Sequence, residues 1–428
     1  MRECESEFRG ERLYIDVVSL REGIETLRPA WSKWETGLEA DIDFYLHQIR
    51  SGPTVVRPYI ITASAAGILQ AMLVGYIQNT RITSVLSFVR IPGPNATVLK
   101  IVNGGRIGKE SAAIDALFAR QLAAALQSGR IDLLRFERLS QRSELLEQLS
   151  QLRNLIFEKP AANACTGSVL SLISRDSEPP SVLCGKSMRE IRRKTRNLER
   201  AFPNGIRFKR FRGLENIDVG IRDAIAVALT SWQYPLGYGL VNSAQVRDRF
   251  RISAKQGWFQ IYLLYINEFP CAFLIGHHYK NAFQCDYAGF NPTFAHFSVG
   301  SLLTSWALER LASEGVQHVE LGEGNREYNR RLGCKTSDYL SLDVCAPTSR
   351  GLLLKTYLTA VRLARNLLHT PLFGLDPNRI GKIWRHFLIG VLARRQLGMR
   401  RQPSRLGKGF RDEEALSIVP SQVHWRAH

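Results

Sequence analysis

Paired cysteines are missing from this 428-residue chain. The seven present (Cys4, Cys165, Cys184, Cys271, Cys285, Cys334 and Cys345) form no C-x-x-C and no Cys/His cluster. Neither a disulfide framework nor a metal site is expected, and reduced thiols are. Long apolar runs are missing as well. No uncharged stretch reaches the ~18–20 residues of a spanning helix. The charged start, Met1 to Glu5, is followed by no apolar leader segment. The expected location is therefore the cytoplasm, with a peripheral position on the inner membrane as an extension of that reading. A Walker A loop is missing too. Gly104-Gly105-Arg106-Ile107-Gly108-Lys109 has too short a spacing, and no Ser or Thr follows the lysine directly. Spacing supports no Ser-His-Asp or Cys-His set. His277 and His278 are adjacent in a predicted strand and so point to opposite faces.

What is present is an ordinary globular composition, 45% apolar and 23% charged, at a length that suits two or three domains. The net charge is +19. It is concentrated in two places. From Leu183 to Arg212 there are 11 Lys/Arg against 2 Asp/Glu, and from Gly351 onward 14 against 4. Such patches suit a polyanion: a phosphorylated cofactor, acidic lipid or nucleic acid.

The pattern predicts an α/β chain of mixed, α+β-type sheets. Tyr59–Thr62, Ile68–Tyr76 and Ile82–Val89 read as strands. A glycine loop at Asn103–Gly108, a helix over Ala112–Gln127 and a strand over Ile131–Phe136 follow. The second half repeats the plan. Phe259–Tyr265, Cys271–Tyr279 and Ala282–Gly289 read as strands joined by Asn267-Glu268 and Lys280-Asn281 turns. A helix begins after Ser298 with Val299, Leu302, Leu303, Trp306 and Leu311 on its apolar face, Gly315 closes it, and His318–Leu321 is the next strand. Two copies of one unit account for the length. The boundaries expected are 1–152 for a first domain with a helical preamble, 153–182 for a linker, 183–347 for a second domain, and 348–428 for a basic helical tail whose end is poorly ordered.

The turn Ser298-Val299-Gly300-Ser301 opens a helix, where backbone N–H groups without partners suit a phosphate. The loop at Gly104–Gly108 leaves the same role open for the first half. Acid–base candidates are Asp286, Tyr287, Glu320, Glu323, Glu327 and Tyr328. The helix Met188–Arg200 combines a narrow apolar stripe with six basic residues, a solvated face or a dock for an acidic partner. The helix from Ser349 to His369 interleaves leucines with Lys355, Arg362 and Arg365, and Ile383–Leu392 adds a shorter apolar piece. Residues 348–400 thus suit an anionic membrane surface or packing on the catalytic body.

The second half resembles the Gcn5-related N-acetyltransferases (GNAT), and more narrowly the CelD/BcsL-like branch associated with cellulose and exopolysaccharide. That branch is similar to the Fem-type transferases with two GNAT units. The resemblance rests on the order of Leu183–Arg189, Ser231-Trp232-Gln233-Tyr234-Pro235-Leu236-Gly237, Gly257-Trp258, Pro270–Phe273, Asp286–Pro292, Ser298-Val299-Gly300 and Glu320–Asn329. It covers about 180–335 well, and 30–150 as an expected second GNAT-like unit. Asn329 stands where the family usually has lysine, Glu320 where it has aspartate, and Val299 where proline is common.

The resemblance implies acetyl-CoA or another acyl-CoA as donor, cradled at Ser298, Val299, Gly300 and Ser301, and direct attack by an acceptor amine or hydroxyl. It places Trp232, Tyr234 and Tyr287 around the acceptor, with Asp286 or Glu323 as base and Tyr328 as acid. Transfer to a small-molecule or lipid-linked glycan precursor of the cell envelope is the leading expectation. A Fem-like transferase using charged tRNA, the one case in which nucleic acid is expected, and a non-catalytic GNAT scaffold at the membrane are the alternatives.

Overall fold

A computed structural model describes residues 3–368 except 9–10, 35, 53, 87–88, 153–155, 159–167, 173–184, 232–233, 235–238, 323–325 and 337–338. The basic region beyond 368, including Ile383–Leu392 and the end expected to be poorly ordered, lies outside the described residues. Among the described residues no helix is long and apolar enough to cross a membrane. The chain divides into two compact units. The N-terminal unit takes residues up to 166 together with 337–368, and the C-terminal unit takes 167–336.

The N-terminal unit runs β1 (Glu3–Phe8), β2 (Glu11–Val18), α1 (Arg21–Trp31), α2 (Ile42–Ser51), β3 (Val55–Ala65), β4 (Ile68–Leu86), β5 (Val89–Gly108), α3 (Ala112–Gln127), β6 (Leu133–Ser140), α4 (Glu144–Ser150) and β7 (Ile156–Glu158). One parallel pair, β5 with β6 over Val98–Ile101 and Leu133–Phe136, interrupts an otherwise antiparallel sheet. Helix α3 buries Ile114, Leu117, Phe118 and Leu122 on Leu73, Leu99 and Ile101. The opposite face of the sheet receives Ile24, Trp31, Tyr45 and Ile49 of α1 and α2 on Ile60, Met72 and Val74.

The C-terminal unit runs β8 (Ser168–Ser171), α5 (Gly185–Ala201), β9 (Ile206–Arg212), α6 (Ile217–Thr230), α7 (Ala244–Lys255), β10 (Phe259–Ile266), β11 (Phe269–Tyr279), β12 (Ala282–Phe290), α8 (Val299–Ser313), β13 (His318–Glu320), α9 (Arg326–Arg331) and β14 (Lys335–Thr336). Its sheet order is β14-β8-β13-β12-β11-β10-β9. The predicted hairpins form. Asn267 and Glu268 both take positive φ, 47° and 68°, as a two-residue turn with the right twist demands. Helix α8 packs Val299, Leu302, Leu303 and Leu308 on Tyr262, Leu264 and Leu274. Helices α6 and α7 cover the other face through Ile221, Ala224, Phe250 and Ala254 on Phe259, Ile261 and Ile275.

Three expectations need correction. The loop at Asn103–Gly108 is the end of the 20-residue strand β5, which Pro92, Gly93 and Pro94 disguise as a break. The linker 153–182 contains two strands that pair into different sheets: β7 in the N-terminal one and β8 in the C-terminal one. The second domain does not extend to 347. Strand β15 (Tyr339–Cys345) lies between β6 and β7 of the N-terminal sheet. Its Asp343 accepts both N–H groups of the Arg135 fork, at 2.7 and 2.8 Å, the bidentate geometry guanidinium and carboxylate share. Helix α10 (Ser349–Leu368) then buries Leu354 against Val98, Leu133 and Cys345 of that unit. The hydroxyl of its Tyr357 donates to Ile91 O at 2.6 Å and accepts from Ser84 N–H at 3.0 Å. The first quarter of the predicted basic tail is therefore part of a folded unit.

Candidate active site

Strand β12 organises the site. Its parallel pairing with β13 covers only Ala282–Gln284 against His318–Glu320. Beyond that point β12 continues to Phe290 with no strand on that side among the described residues. Unpaired backbone amides along a diverging edge suit an extended, amide-bearing ligand.

At the end of this edge the chain turns into α8. Asn291 Oδ1 accepts Thr293 N–H at 3.0 Å and starts a 3-10 turn over Pro292–Phe297. Ser298 then adopts the left-handed conformation, φ 59° and ψ 38°. A right-handed residue followed by a left-handed one turns successive N–H groups into a concavity for an anion. The first intrahelical bond, from Leu302 N–H to Ser298 O at 3.1 Å, leaves Val299, Gly300 and Ser301 N–H without helical partners. A Cβ on Gly300 would stand 3.2 Å from Phe290 Cδ1, so a larger residue would press that ring aside.

The register of β12 decides what faces the gap. Ile275 pairs with Tyr287 and Gly276 with Cys285, so Asp286 is the extra residue of a β-bulge. The bulge sends Asp286 and Tyr287 to one face. Tyr287 meets Phe250 of α7 edge-to-face at 6.2 Å, and burial raises its phenol against the pull of Arg249. Asp286 Oδ2 lies 2.8 Å from Nδ1 of His277, a fully buried imidazole beside Phe259. Cys285 packs on the other face, with the α8 core, and burial pushes its thiol up to about 12.

Tyr328, on α9, belongs to that second face. Burial raises its phenol above the usual 10, while hydrogen bonding to Thr304 and Ser301 pulls the other way. Thr304 itself donates to Gly300 O at 2.9 Å. The tyrosine hydroxyl thus sits at the first turn of α8. A phenol held protonated keeps an O–H to offer a departing sulfur.

Of the residues read from the sequence, Ser298, Val299, Gly300 and Ser301 meet Tyr328 at the start of α8. Asp286 and Tyr287 stand across the strand from them. Tyr234 is 47% exposed and makes no described contact with this group. Trp232 and Glu323 lie outside the described residues. Sequence reasoning gave His277 no role and passed over Thr304. The hairpin register, known only from the structure, places His277 opposite Gln284, just short of the bulge. The basic helix α5 packs its expected stripe: Ile191 and Leu198 join the α8 core, and Phe202 meets Phe297 edge-to-face at 5.5 Å. Arg189, Arg192, Arg193, Arg196 and Arg200 remain on the exposed side.

Residues 185–330, the segment holding β12, α8 and α9, match the model of the acetyltransferase (GNAT) domain family. This segment is a GNAT acetyltransferase domain. Among solved structures, FemX aligns with 79% of this chain and 100% of its own, at 7% identity and a TM-score of 0.55. At that identity the likeness is one of fold, and it extends the tandem GNAT-like arrangement over both units. A tandem GNAT protein from the clavulanic acid biosynthesis pathway aligns at 10% identity over 78% of this chain and 99% of its own, with a TM-score of 0.47. A GCN5-related N-acetyltransferase from Sphaerobacter thermophilus aligns at 12% identity over 77% and 95%, with a TM-score of 0.40. No curated protein matches the chain. The matched segment contains the bulge, the diverging strand edge and the helix-start concavity described above.

Proposed function

We propose that the GNAT domain transfers an acyl group, acetyl in the simplest case, from an acyl-CoA thioester to an amine or hydroxyl of a sugar or lipid-linked precursor of cell-surface polysaccharide. One observation carries the reading: the two faces of β12 hold complementary chemistry across a gap in the sheet. On the α8 face, free N–H groups and a protonated phenol suit a pyrophosphate and a departing thiolate. On the α6/α7 face, a carboxylate held by a buried histidine suits the acceptor proton. A thioester carbonyl lying in the gap is reached from one side by the acceptor and released on the other.

In the direct transfer, the acceptor heteroatom bonds to the acyl carbon, the carbon–sulfur bond breaks, and the heteroatom proton passes to Asp286. Tyr328 gives its proton to the sulfur and regains one from solvent. Ser298, Val299, Gly300 and Ser301 orient the donor, Tyr287 lines the acceptor side, and His277 holds Asp286 in place. Trp232, Tyr234 and Glu323 complete the acceptor side in this proposal. The exposed leucines of α10, Leu352, Leu353, Leu363 and Leu367, flanked by Lys355 and Arg362, support a peripheral position on an anionic membrane.

A second reading keeps the fold and changes the donor to a charged tRNA. The exposed arginines of α5 and the strongly basic edge strand β9, with Arg207, Lys209, Arg210 and Arg212, favour it. Calorimetry with acetyl-CoA, longer acyl-CoAs, free CoA and bulk tRNA separates the two. A CoA-dependent heat at every acyl length supports the first. Steeply salt-dependent tRNA binding without CoA binding replaces it with the second.

A further inference from the structure

The N-terminal unit carries a cavity of about 750 Å³ that the donor site does not use. It lies where β5 and β6 diverge. Their parallel pairing ends at Ile101 and Phe136, and β5 then inserts Val102–Gly105 into its pairing with β4, opposite Val74. That wide bulge forms one wall. The first turn of α3, the end of β6, the first turn of α4 and Tyr339 of β15 form the others. Its size is that of a small-molecule site, ~300–1,000 Å³.

We propose that this cavity binds a neutral glycan, one to a few pyranose units long. The polar groups facing it are balanced in charge. Arg106, Arg138 and Arg142 stand among Glu110, Asp115 and Glu144. Carboxylates already occupy the start of both helices: Asp115, buried in the first turn of α3, and Glu144, at the first position of α4. They compensate the helix dipoles and repel a further anion. Arg106 is committed. Its Nε donates to Asp115 Oδ1 at 2.5 Å and its other nitrogens donate to Ile107 O and Lys109 O. The cradle that takes a phosphate in the C-terminal unit is therefore closed to one here.

Two further observations point to a hydroxyl-rich ligand. Ser111 and Ser143 occupy the N-cap positions of α3 and α4, where a serine oxygen normally accepts a backbone N–H, yet neither makes a capping bond. Both face the cavity. Asn103, on the bulge, adds an amide that both donates and accepts. Sugar hydroxyls donate and accept at once, which is what a wall mixing carboxylates, guanidinium groups, hydroxyls and an amide requires. Tyr339, 39% exposed at the rim, offers a ring face for the apolar side of a pyranose. The floor of Leu73, Ile101 and Leu145 is apolar. This site stands whether or not the GNAT domain takes acyl-CoA.

The test uses the full chain. Calorimetry and saturation-transfer NMR with cellotriose, chitotriose and mannotriose are run with and without saturating CoA. We expect at least one trisaccharide to bind, equally well in both conditions. Ser111→Ala/Ser143→Ala and, separately, Tyr339→Ala should each weaken it about tenfold. Neither change removes a capping bond or a core residue, so both variants retain the fold, which amide exchange over α3 and β6 verifies. The proposal fails if none of the three binds, if neither variant weakens binding, or if millimolar pyrophosphate displaces the sugar. The last result would make the cavity an anion cradle. Loss of CoA binding alone would strike the donor reading and leave this one intact.

Discussion

Lys100 offers the sharpest quantitative prediction. Its side chain on β5 is 1% exposed, with Nζ 2.5 Å from Glu137 Oε1 on β6, itself 11% exposed. Burial alone would lower the ammonium. Glu137, Tyr76 and Glu39 more than offset that, so it titrates above its ordinary 10.5. Lys100→Met keeps the volume and removes the charge that faces the buried Glu137 carboxylate. Breaking such a pair from one side costs about 3–5 kcal/mol, whereas replacing both partners by apolar residues is often neutral. Lys100→Met/Glu137→Leu should therefore recover most of the loss, with a coupling of about 2–3 kcal/mol.

The chain has two units, so a single melting curve is the wrong assay. Native-state hydrogen exchange, read on peptides from β4 to β6, isolates the N-terminal unit. The raised ammonium also fixes a pH signature. Its contribution is complete below pH 10.5 and declines only as the pH rises past it toward the folded value, a decline the double variant should not show. A loss below ~1 kcal/mol for Lys100→Met, or a double variant no better than the single one, would refute the reasoning.

Other outcomes follow from the GNAT domain. Asp286→Asn should lower turnover by about 10²–10⁴-fold, the usual worth of a positioned base, and turnover within threefold of the parent would remove Asp286 from that role. His277→Gln should lower turnover by loosening the hold on Asp286, and should add nothing on top of Asp286→Asn. Gly300→Val must displace Phe290 and cover the helix start. The stabilisation by acetyl-CoA, about 2.7 kcal/mol at ~100 Kd, should vanish from hydrogen exchange read on peptides of α8. Cys271, buried and pushed up to about 12, should resist iodoacetamide at pH 8, and rapid labelling mapped to it by mass spectrometry would contradict its burial.

Local signals carried much of the fold. Helix α3 occupies Ala112–Gln127, as its apolar spacing predicts, and the two-residue turn at Asn267-Glu268 marks the β10–β11 hairpin. Asn and Gly tolerate left-handed backbone, and turn chemistry is written in neighbouring residues. Strand β5 was hidden because Pro92, Gly93, Pro94 and the Gly104-Gly105 pair read as breakers, although a long strand with bulges absorbs them. The placement of β15 was not legible at all. It depends on Arg135, two hundred residues earlier, and no local pattern announces a partner that distant. The turn at Ser298–Ser301 was readable as small residues before a helix. The bulge at Asp286 was not, because a bulge is a property of two strands in register, and His277 could be matched to it only once that register was known.

The placement of β15 has a consequence for biosynthesis. The edge of β6 that it covers stays open until residue 345 has been made, after the whole GNAT domain. At ~5–20 residues per second the ribosome needs on the order of ten seconds or more for that stretch. During this interval the N-terminal sheet presents an unpaired edge, with Arg135 lacking its Asp343 partner, to whatever strand is at hand. The first unit begun is thus the last to be completed, and a cell making this protein would need to keep that edge from the wrong partner while the second unit folds.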